Sequence, residues 1–232
     1  MTAPEKAVNA SRRTVVEIVG PTAAGKTTVF ERLRDRLESV QPKPILGRPP
    51  YRPLLARHVA SALATLVRLR VLGRRTTRDQ VLMMAYLRAL PHAIDGREAG
   101  RNGMVVFDQG PVYFLTRPSI RDGQLATWWE RTAEIWSARL DAIVWLDAPD
   151  AVLLERINSR GKWHALKGGP DEAARDVLAR SRVAYEQVLE RLGANGTGPM
   201  ILRFDTSRRP AAEIVDEIAA TVGAADRLRA QL

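Results

Sequence analysis

The residues best suited to chemistry lie near the start of the sequence, in Gly20-Pro-Thr-Ala-Ala-Gly25-Lys26-Thr27, which fits the spacing G-x-x-x-x-G-K-[ST]. Glycines at these positions allow backbone conformations in which successive amide N–H groups point at an anion. A helix that begins at Lys26 adds the positive end of its dipole, the Lys26 ammonium reaches phosphate oxygens, and the Thr27 hydroxyl suits Mg²⁺. The pattern predicts a loop that binds ATP and Mg²⁺. The predicted nucleotide contacts are Gly20, Thr22, Ala23, Ala24, Gly25, Lys26, Thr27 and Thr28.

A carboxylate closes a second apolar run, since Asp108 follows Met104-Val-Val-Phe. In open parallel sheets, ligands bind beyond the carboxyl ends of the strands, so Asp108 is predicted to reach the same ligand. It would hold Mg²⁺ as a metal ligand or act as a general base toward the attacking hydroxyl. The alternative is a carboxylate that caps the turn at 109–110. Asp147 also follows an apolar run, and in its Asp-Ala-Pro sequence a turn role and a site role are equally consistent.

Two arginines at helical spacing, Arg156 and Arg160, lie at the end of a predicted helix. They lead into a segment at about 160–170 that carries Lys162 and Lys167 and has glycines at both ends. Arginines at this spacing share a helix face, and a cationic loop with glycine hinges is typical of a mobile lid over phosphoryl oxygens. The alternative is a solvated helix end, where cations are favoured in any case, but beside the glycine-lysine loop the lid is the favoured interpretation. The predicted catalytic residues are Lys26, Asp108, Arg156 and Arg160.

The elements that must position these residues alternate along the chain. Apolar, β-branched runs predict strands at 14–19, 104–108, 142–146 and 200–204, with a very short edge strand at 45–46. Helical periodicity predicts helices at 26–40, 54–72, 78–90, 125–140, 151–158, 171–192 and 210–222, with Pro91 ending the third and Asp150 capping the fifth. Such alternation implies right-handed crossovers and a mostly parallel sheet with helices on both faces. The predicted class is α/β, in one domain at 14–232 after a flexible tail at 1–13.

The composition excludes several kinds of site and leaves a strong positive charge to explain. The chain has 232 residues, no cysteine and three scattered histidines, so disulfides and thiolate metal sites are excluded. No apolar run reaches membrane-spanning length and the amino terminus has no secretory pattern, so no transmembrane segment and a cytoplasmic location are predicted. The net charge is +10, and residues 39–78 contain no Asp or Glu. Such a stretch favours an anionic ligand, although arginines on solvated faces would account for it equally well.

Several apolar and aromatic residues are open to two interpretations. The helix at 54–72 either lines an apolar pocket with its arginines toward an acidic substrate, or packs in the core with its arginine heads in water. The same choice between contact with a substrate and packing in the core applies to Trp128, Trp129, Trp136, Met83, Met84 and Tyr86.

Taken in their order along the chain, the motifs resemble those of the thymidylate kinase and deoxynucleoside kinase branch of the P-loop small-molecule kinases. The resemblance covers most of the chain. It rests on the loop at 20–28, on Val105-Val-Phe-Asp108-Gln109-Gly110, on Val144-Trp-Leu-Asp147-Ala-Pro149 with Leu153-Leu-Glu-Arg156-Ile-Asn-Ser-Arg160-Gly161, and on Phe204-Asp205-Thr206-Ser207. In the family, the first of these motifs is the phosphate-binding loop and the second is the strand that ends in an acid. The third forms a further strand, a helix and the lid, and the last is the adenine-side loop.

The resemblance implies a P-loop NTPase fold, with three α/β/α layers, a five-stranded parallel sheet and a lid. It implies ATP and Mg²⁺ as cofactors and a homodimer, which is common in the family. Lys26 and Thr27 would be the phosphate and metal contacts, and Asp108 the acid at the strand end. Arg156 and Arg160 would be the lid arginines.

Two positions depart from the family. Gln109 stands where relatives have an arginine, and residues 41–57 contain no carboxylate where deoxynucleoside kinases have a catalytic glutamate. Asp108 would then serve as the base, or transfer would rest on positioning and charge alone. Arg48 would supply the positive charge that relatives obtain from the arginine at the position of Gln109.

The predicted function is ATP-dependent transfer of the γ-phosphoryl group to a small-molecule acceptor, with a nucleoside- or nucleotide-like acceptor favoured. The acceptor would lie over residues 45–90 and near Asp108. One alternative is a kinase of a non-nucleotide metabolite (a sugar, an antibiotic or a lipid-linked intermediate), suggested by the apolar, arginine-bearing helix at 54–72. Another is a nucleotide-dependent switch or nucleic-acid-binding ATPase, suggested by the charge of +10. No recognition helix or stacking motif supports nucleic acid as a partner.

Overall fold

The computed structural model describes residues 13–37, 39–42, 44–49, 51–70, 78–95, 103–121, 123–161, 163–194, 196 and 198–230. Among them a parallel sheet lies between two layers of helices, which confirms the predicted α/β class. The strands are β1 (Thr14–Val19), β2 (Val40–Pro42), β3 (Met104–Phe107), β4 (Ala142–Asp147) and β5 (Met200–Asp205), in the order β2-β3-β1-β4-β5. Of the predicted flexible tail at 1–13, residues 1–12 lie outside the described residues, whereas Arg13 is buried beside the start of β1.

The central strand, β1, is covered on both faces. Val15 and Val19 belong to the hydrophobic cluster on one face, and Val16 and Ile18 to the cluster on the other. All of its residues are buried, as expected for a middle strand of a parallel sheet. β1 pairs with β3 on one side and β4 on the other, so the carboxyl ends of these three strands lie side by side.

The edge strand lies earlier in the chain than predicted. β2 pairs in parallel with the first residues of β3, and its final proline is tolerated because an edge strand needs fewer ladder donors. The prediction of a strand at 45–46 is wrong. Ile45 instead begins a turn, in which its carbonyl accepts a hydrogen bond from Arg48 N–H at 2.9 Å. Leu46 is buried in the core, which accounts for the apolar character that predicted a strand here.

The helices are α1 (Lys26–Arg36), α2 (Arg52–Arg70), α3 (Arg78–Asp95), α4 (Pro111–Leu115), α5 (Ala126–Arg139), α6 (Asp150–Ser159), α7 (Asp171–Gly193) and α8 (Ala211–Ala230), with a 3-10 turn at Gly123–Leu125. α1 ends before the predicted residue 40, because Leu37 takes an extended conformation with φ −123° and ψ 109°. Asp150 is not the cap of α6 but its first residue, after Pro149, and its carboxylate accepts a hydrogen bond from Arg182 Nη1 at 2.6 Å. The short helix α4 has no counterpart in the prediction.

α3 continues through Pro91, which the sequence predicts as the end of this helix. A proline cannot donate to the carbonyl four residues earlier, which here belongs to Leu87. The indole N–H of Trp136 donates to Leu87 O instead, at 3.2 Å. A contact from α5 therefore supplies the hydrogen bond that the proline removes, and α3 runs on to Asp95.

The tryptophans of α5 belong to the core. Trp136 is fully buried, and Trp128 and Trp129 are 7% and 9% exposed. Met84 packs in the same cluster, whereas Tyr86 stays half-buried at its margin. The core interpretation is therefore correct for the tryptophans. Among the described residues, no helix combines the length and hydropathy that crossing a membrane requires.

Two imidazoles, those of His58 on α2 and His92 on α3, are stacked with ring centroids 5.4 Å apart. His58 is buried. Burial first, and then the positive charges of His92, Arg57 and Arg88, lower the pKa of His58. The folded protein thus binds this proton less readily than the unfolded chain does. Its stability is complete above the ordinary histidine pKa of about 6.5 and falls as the pH decreases below that value.

We expect the free energy of unfolding to fall as the pH decreases below about 6.5, and this part of the dependence to vanish in His58→Leu. Urea denaturation of both proteins at about pH 7.5 and about pH 5.5 measures the difference. Equal losses of stability in the two proteins would show that His58 does not titrate in this way.

Candidate functional site

The P-loop (residues 20–27) connects the carboxyl end of β1 to the first turn of α1. Three of its residues have positive φ: Gly20 at 143°, Ala23 at 64° and Gly25 at 90°. A Cβ atom at Gly20 would lie 1.9 Å from Leu146 O, so only glycine lets the loop pass β4 so closely. The left-handed backbone of Ala23 is unusual for a residue with a side chain, and such backbone is concentrated at ligand-binding sites.

Lys26, the first residue of α1, folds its side chain back over the P-loop. Its Nζ donates to Gly20 O at 2.9 Å and to Pro21 O at 2.7 Å. Burial first, and then the charge of Arg160, lower the pKa of Lys26 to about 8, while Asp108 acts in the opposite direction. The charges of two other predicted catalytic residues, Asp108 after β3 and Arg160 in the lid, therefore act on Lys26.

The start of α1 is suited to an anion. Its N-cap, Gly25, contributes no side-chain hydrogen bond, and its first turn carries no acidic residue. The first amide N–H groups of a helix have no acceptor within the helix, so they add donors to the Lys26 ammonium. Thr27 and Thr28 are exposed beside them. The residues present thus fit the triphosphate of a nucleotide.

The same site fits a magnesium ion that is shared with a nucleotide. Such an ion takes one or two protein oxygens together with phosphate oxygens and water. The Thr27 hydroxyl is exposed at the start of α1, and the charge of the Asp108 carboxylate reaches Lys26; both groups are oxygen ligands of this kind. Among the described residues, no group of three or more histidines and carboxylates could hold a metal by itself.

A buried carboxylate that the sequence interpretation missed fixes the segment after Asp108. Glu17 lies in β1 and is fully buried. It accepts backbone hydrogen bonds from Gly110 at 2.9 Å, Val112 at 2.8 Å and Tyr113 at 3.1 Å. A buried charge is tolerated when several donors satisfy it, and these donors belong to the start of α4. The signal in the sequence was one charged residue inside an otherwise apolar strand.

The close packing around Glu17 also requires a glycine at position 110. A Cβ atom there would lie 2.7 Å from Phe107 Cβ and 2.9 Å from Glu17 Cδ. The turn after Asp108 therefore presses directly on β1 and β3. Gln109, which replaces the family's arginine, is exposed.

Arg156 joins the P-loop to the loop after β5. It donates from Nη1 to Thr206 Oγ1 at 2.9 Å and to Ala23 O at 3.4 Å, and from Nη2 to Thr206 O at 2.8 Å. A cavity of about 370 Å³ lies against Arg156, the P-loop and the start of α8, and Arg160 also lines it. This volume lies within the range of small-ligand pockets.

The lid (residues 160–170) is folded against the P-loop. His164 Nε2 lies 3.1 Å from Thr22 Oγ1, and Leu166 packs against the hydrophobic cluster on the α1 side of the sheet. Arg160 is exposed at the start of the lid, and its charge reaches Lys26. Lys162 lies outside the described residues.

Asp147 belongs to an ion-pair network that holds the turn between β4 and α6. Arg182 donates to Asp147 from Nε at 2.7 Å and from Nη2 at 3.1 Å, and also to the Asp150 carboxylate. The hydrogen bond to Asp147 is the main cause that raises the pKa of Arg182. The turn role left open by the sequence is thus the one observed. A second cavity, of about 530 Å³, lies beside this network.

Aromatic side chains from α3 and α4 pack on one another, and the charge of Asp108 reaches one of them, Tyr86. The ring centroid of Phe114 is 5.0 Å from that of Tyr86 and 5.4 Å from that of Tyr113. Burial first, and then the charges of Glu17 and Asp108, raise the pKa of Tyr86 to about 12. Tyr86 falls in the predicted acceptor region at 45–90, whereas the two α4 aromatics were not predicted as site residues.

No model of a known protein family and no curated protein matches this chain. Among solved structures, deoxyadenosine kinase from M. mycoides with the products dCMP and a flexible dCDP is similar, with a TM-score of 0.50 and 14% identity over 91% of this chain and 100% of that one. The structures of this kinase with dATP and dCTP, also 14% identical, cover 90% and 91% of this chain and all of theirs, with TM-scores of 0.49 and 0.48. At this identity the likeness is one of fold alone: the fold of the chain is similar to that of this deoxyadenosine kinase.

Proposed function

We propose that the protein is a kinase that transfers the γ-phosphoryl group of ATP, with Mg²⁺, to a hydroxyl group of a nucleoside- or nucleotide-like acceptor. The observation that carries the proposal is the position of Lys26. Its half-buried ammonium lies over the P-loop on two backbone carbonyls, close to Asp108 and Arg160. Burial of a cation is unfavourable unless an anion compensates it, and a triphosphate is the anion that this loop fits.

Each residue of the site has a role in this reaction. The amides of the P-loop would hold the phosphates, while Lys26 and Arg160 would offset the charge on the transferring group. Thr27 and Asp108 would hold Mg²⁺, which supplies further positive charge at the phosphates when bound. Asp108 would also orient the acceptor hydroxyl as its base. Arg156 would act at the adenine side, since it binds Thr206 beside the cavity next to the P-loop.

A nucleoside-like acceptor is supported by the aromatic side chains beyond Asp108. Tyr86, Tyr113 and Phe114 pack on one another and are each only half-buried, so a planar base would have ring surface to pack against. The structurally similar deoxyadenosine kinase was solved with dCMP and dCDP as products. The acid-free stretch at 39–78 would favour an acceptor that already carries a phosphate, as in thymidylate kinases.

An acceptor screen tests this proposal. With ATP and Mg²⁺ present, formation of ADP and of a phosphorylated product is measured with deoxynucleosides, their monophosphates, sugars and other hydroxyl compounds. We expect turnover with at least one nucleoside or nucleotide, and about a tenfold or larger increase in its KM in Phe114→Ala. Phe30 of α1 is also half-buried but packs against the cluster on the opposite face of the sheet, so Phe30→Ala serves as the matched control. Turnover confined to sugars or other non-nucleotide compounds would overturn the acceptor class.

We further propose that the protein acts in the cytoplasm as a homodimer, as is common in the family whose motifs it resembles. Sedimentation analysis at several concentrations measures the oligomeric state. A monomer at all concentrations would contradict the proposed homodimer but would not contradict the proposed kinase reaction.

A further inference from the structure

One side chain of the lid reaches the P-loop directly. His164 Nε2 lies 3.1 Å from Thr22 Oγ1. The lid's own backbone determines the tautomer, because Leu166 N–H donates to His164 Nδ1 at 3.2 Å. Assigned from this network, the ring proton is on Nε2, which donates to the Thr22 hydroxyl.

The rest of the lid is organised around this contact. Leu166 packs inward against the hydrophobic cluster, and Lys167 Nζ donates to Arg160 O. Gly168 has a left-handed φ of 73°, and its N–H donates to Asn158 Oδ1 at 3.4 Å. Trp163, in contrast, is 87% exposed. The lid thus forms a compact unit that faces the P-loop through His164.

The closed lid places two like charges near one another. The charge of Arg160 is one cause of the lowered Lys26 pKa, which means that the two cations repel each other across the P-loop. A bound triphosphate would neutralise this repulsion. Without phosphate, another interaction must hold the lid in place, and the hydrogen bond between His164 and Thr22 is positioned to do so.

We propose that His164 latches the lid onto the P-loop through Thr22 and so holds Arg160 beside Lys26 for phosphoryl transfer. His164 is therefore a positioning residue, and this part of the proposal rests on the proposed kinase function. Its Nε2–H acts on the P-loop side chain and not on the reacting phosphate.

Limited digestion with trypsin in the absence of nucleotide tests the latch without any turnover, because Arg160, Lys162 and Lys167 are cleavage sites in the lid. Loss of one hydrogen bond of about 1 kcal/mol should make lid cleavage about fivefold faster in His164→Ala and in Thr22→Val. The double variant should be cleaved no faster than either single one, because both changes remove the same bond. His164→Gln and Thr22→Ser, which keep a donor and an acceptor, should restore slow cleavage. Trp163→Ala, a change at an exposed neighbour, is the matched control.

Additive effects in the double variant, or unchanged cleavage in the single ones, would overturn the latch. In kinetics, His164→Ala should lower kcat about fivefold and leave the acceptor KM unchanged, and His164→Gln should recover most of the loss. The two proposals fail separately. A latch seen by digestion in a protein that transfers no phosphoryl group would leave the contact and remove the kinase function, whereas an active enzyme with normal kcat in His164→Ala would remove the positioning role.

Discussion

Replacement of Lys26 by methionine is expected to lower kcat/KM for ATP by at least about 10³-fold, whichever acceptor is used. The ammonium lies over the P-loop and would contact the phosphates both before transfer and at the transition state. Methionine keeps much of the length and volume of the lysine side chain but removes the charge and the hydrogen bonds to Gly20 and Pro21. Steady-state kinetics with a verified acceptor measures the loss.

The same substitution should leave the fold intact. Because burial lowers the pKa of Lys26, the folded protein disfavours its charged form, so its removal should leave the free energy of unfolding within about 1 kcal/mol of the parent or raise it. Arg34→Met, on the exposed side of the same helix, is the matched control and should change neither rate nor stability. Turnover within tenfold of the parent in Lys26→Met would refute the assigned role.

Replacement of Glu17 by glutamine is the second change with a large expected effect, although Glu17 is buried in β1 and is not a predicted catalytic residue. Its carboxylate accepts three backbone N–H groups at the start of α4, and an amide in the same place offers one oxygen and an N–H₂ group that cannot accept. We expect a loss of about 1–3 kcal/mol in the free energy of unfolding. Since the three donors fix the turn after Asp108, kcat should also fall by about tenfold or more, with ATP affinity nearly unchanged.

Glu31→Gln supplies the matched control, because it makes the same chemical change at an exposed position of α1. It should alter stability by less than about 0.5 kcal/mol. Urea denaturation and steady-state kinetics on both variants separate the buried carboxylate from a general effect of charge. If Glu17→Gln were as stable and as active as Glu31→Gln, the carboxylate would not be what holds this segment.

The parts of the fold that the sequence predicts well are those with local causes. The strand at 14–19 is continuous and β-branched, and the helix after the P-loop begins at Lys26 as predicted. The errors arise where a distant residue decides the local structure. Pro91 does not end α3 because an indole from α5 supplies the missing donor, and α4 forms where a carboxylate from β1 holds its first amides.

The residues of the candidate site likewise fall into those that the sequence predicts and those whose contacts depend on distant parts of the chain. The P-loop and the acid at the end of β3 have fixed spacings from their own strands, so their proximity follows from the order of the elements. The contact of Arg156 with Thr206 and that of His164 with Thr22 join segments far apart in the chain, and no periodicity predicts them. The roles of all these residues in catalysis stay predictions until a variant is measured.

Calorimetric titration of the protein with ATP and Mg²⁺ at about pH 8 is the most direct test of the central claim, that the P-loop and Lys26 bind a nucleotide triphosphate. Since the pKa of Lys26 is lowered to about 8, roughly half of these ammonium groups are neutral at that pH, and a bound polyanion should restore the charge. We expect saturable binding and uptake of up to about half a proton, seen as a difference between two buffers of unlike ionisation enthalpy, with the uptake absent in Lys26→Met. No binding of ATP, or binding of equal strength and equal proton uptake in Lys26→Met, would contradict it.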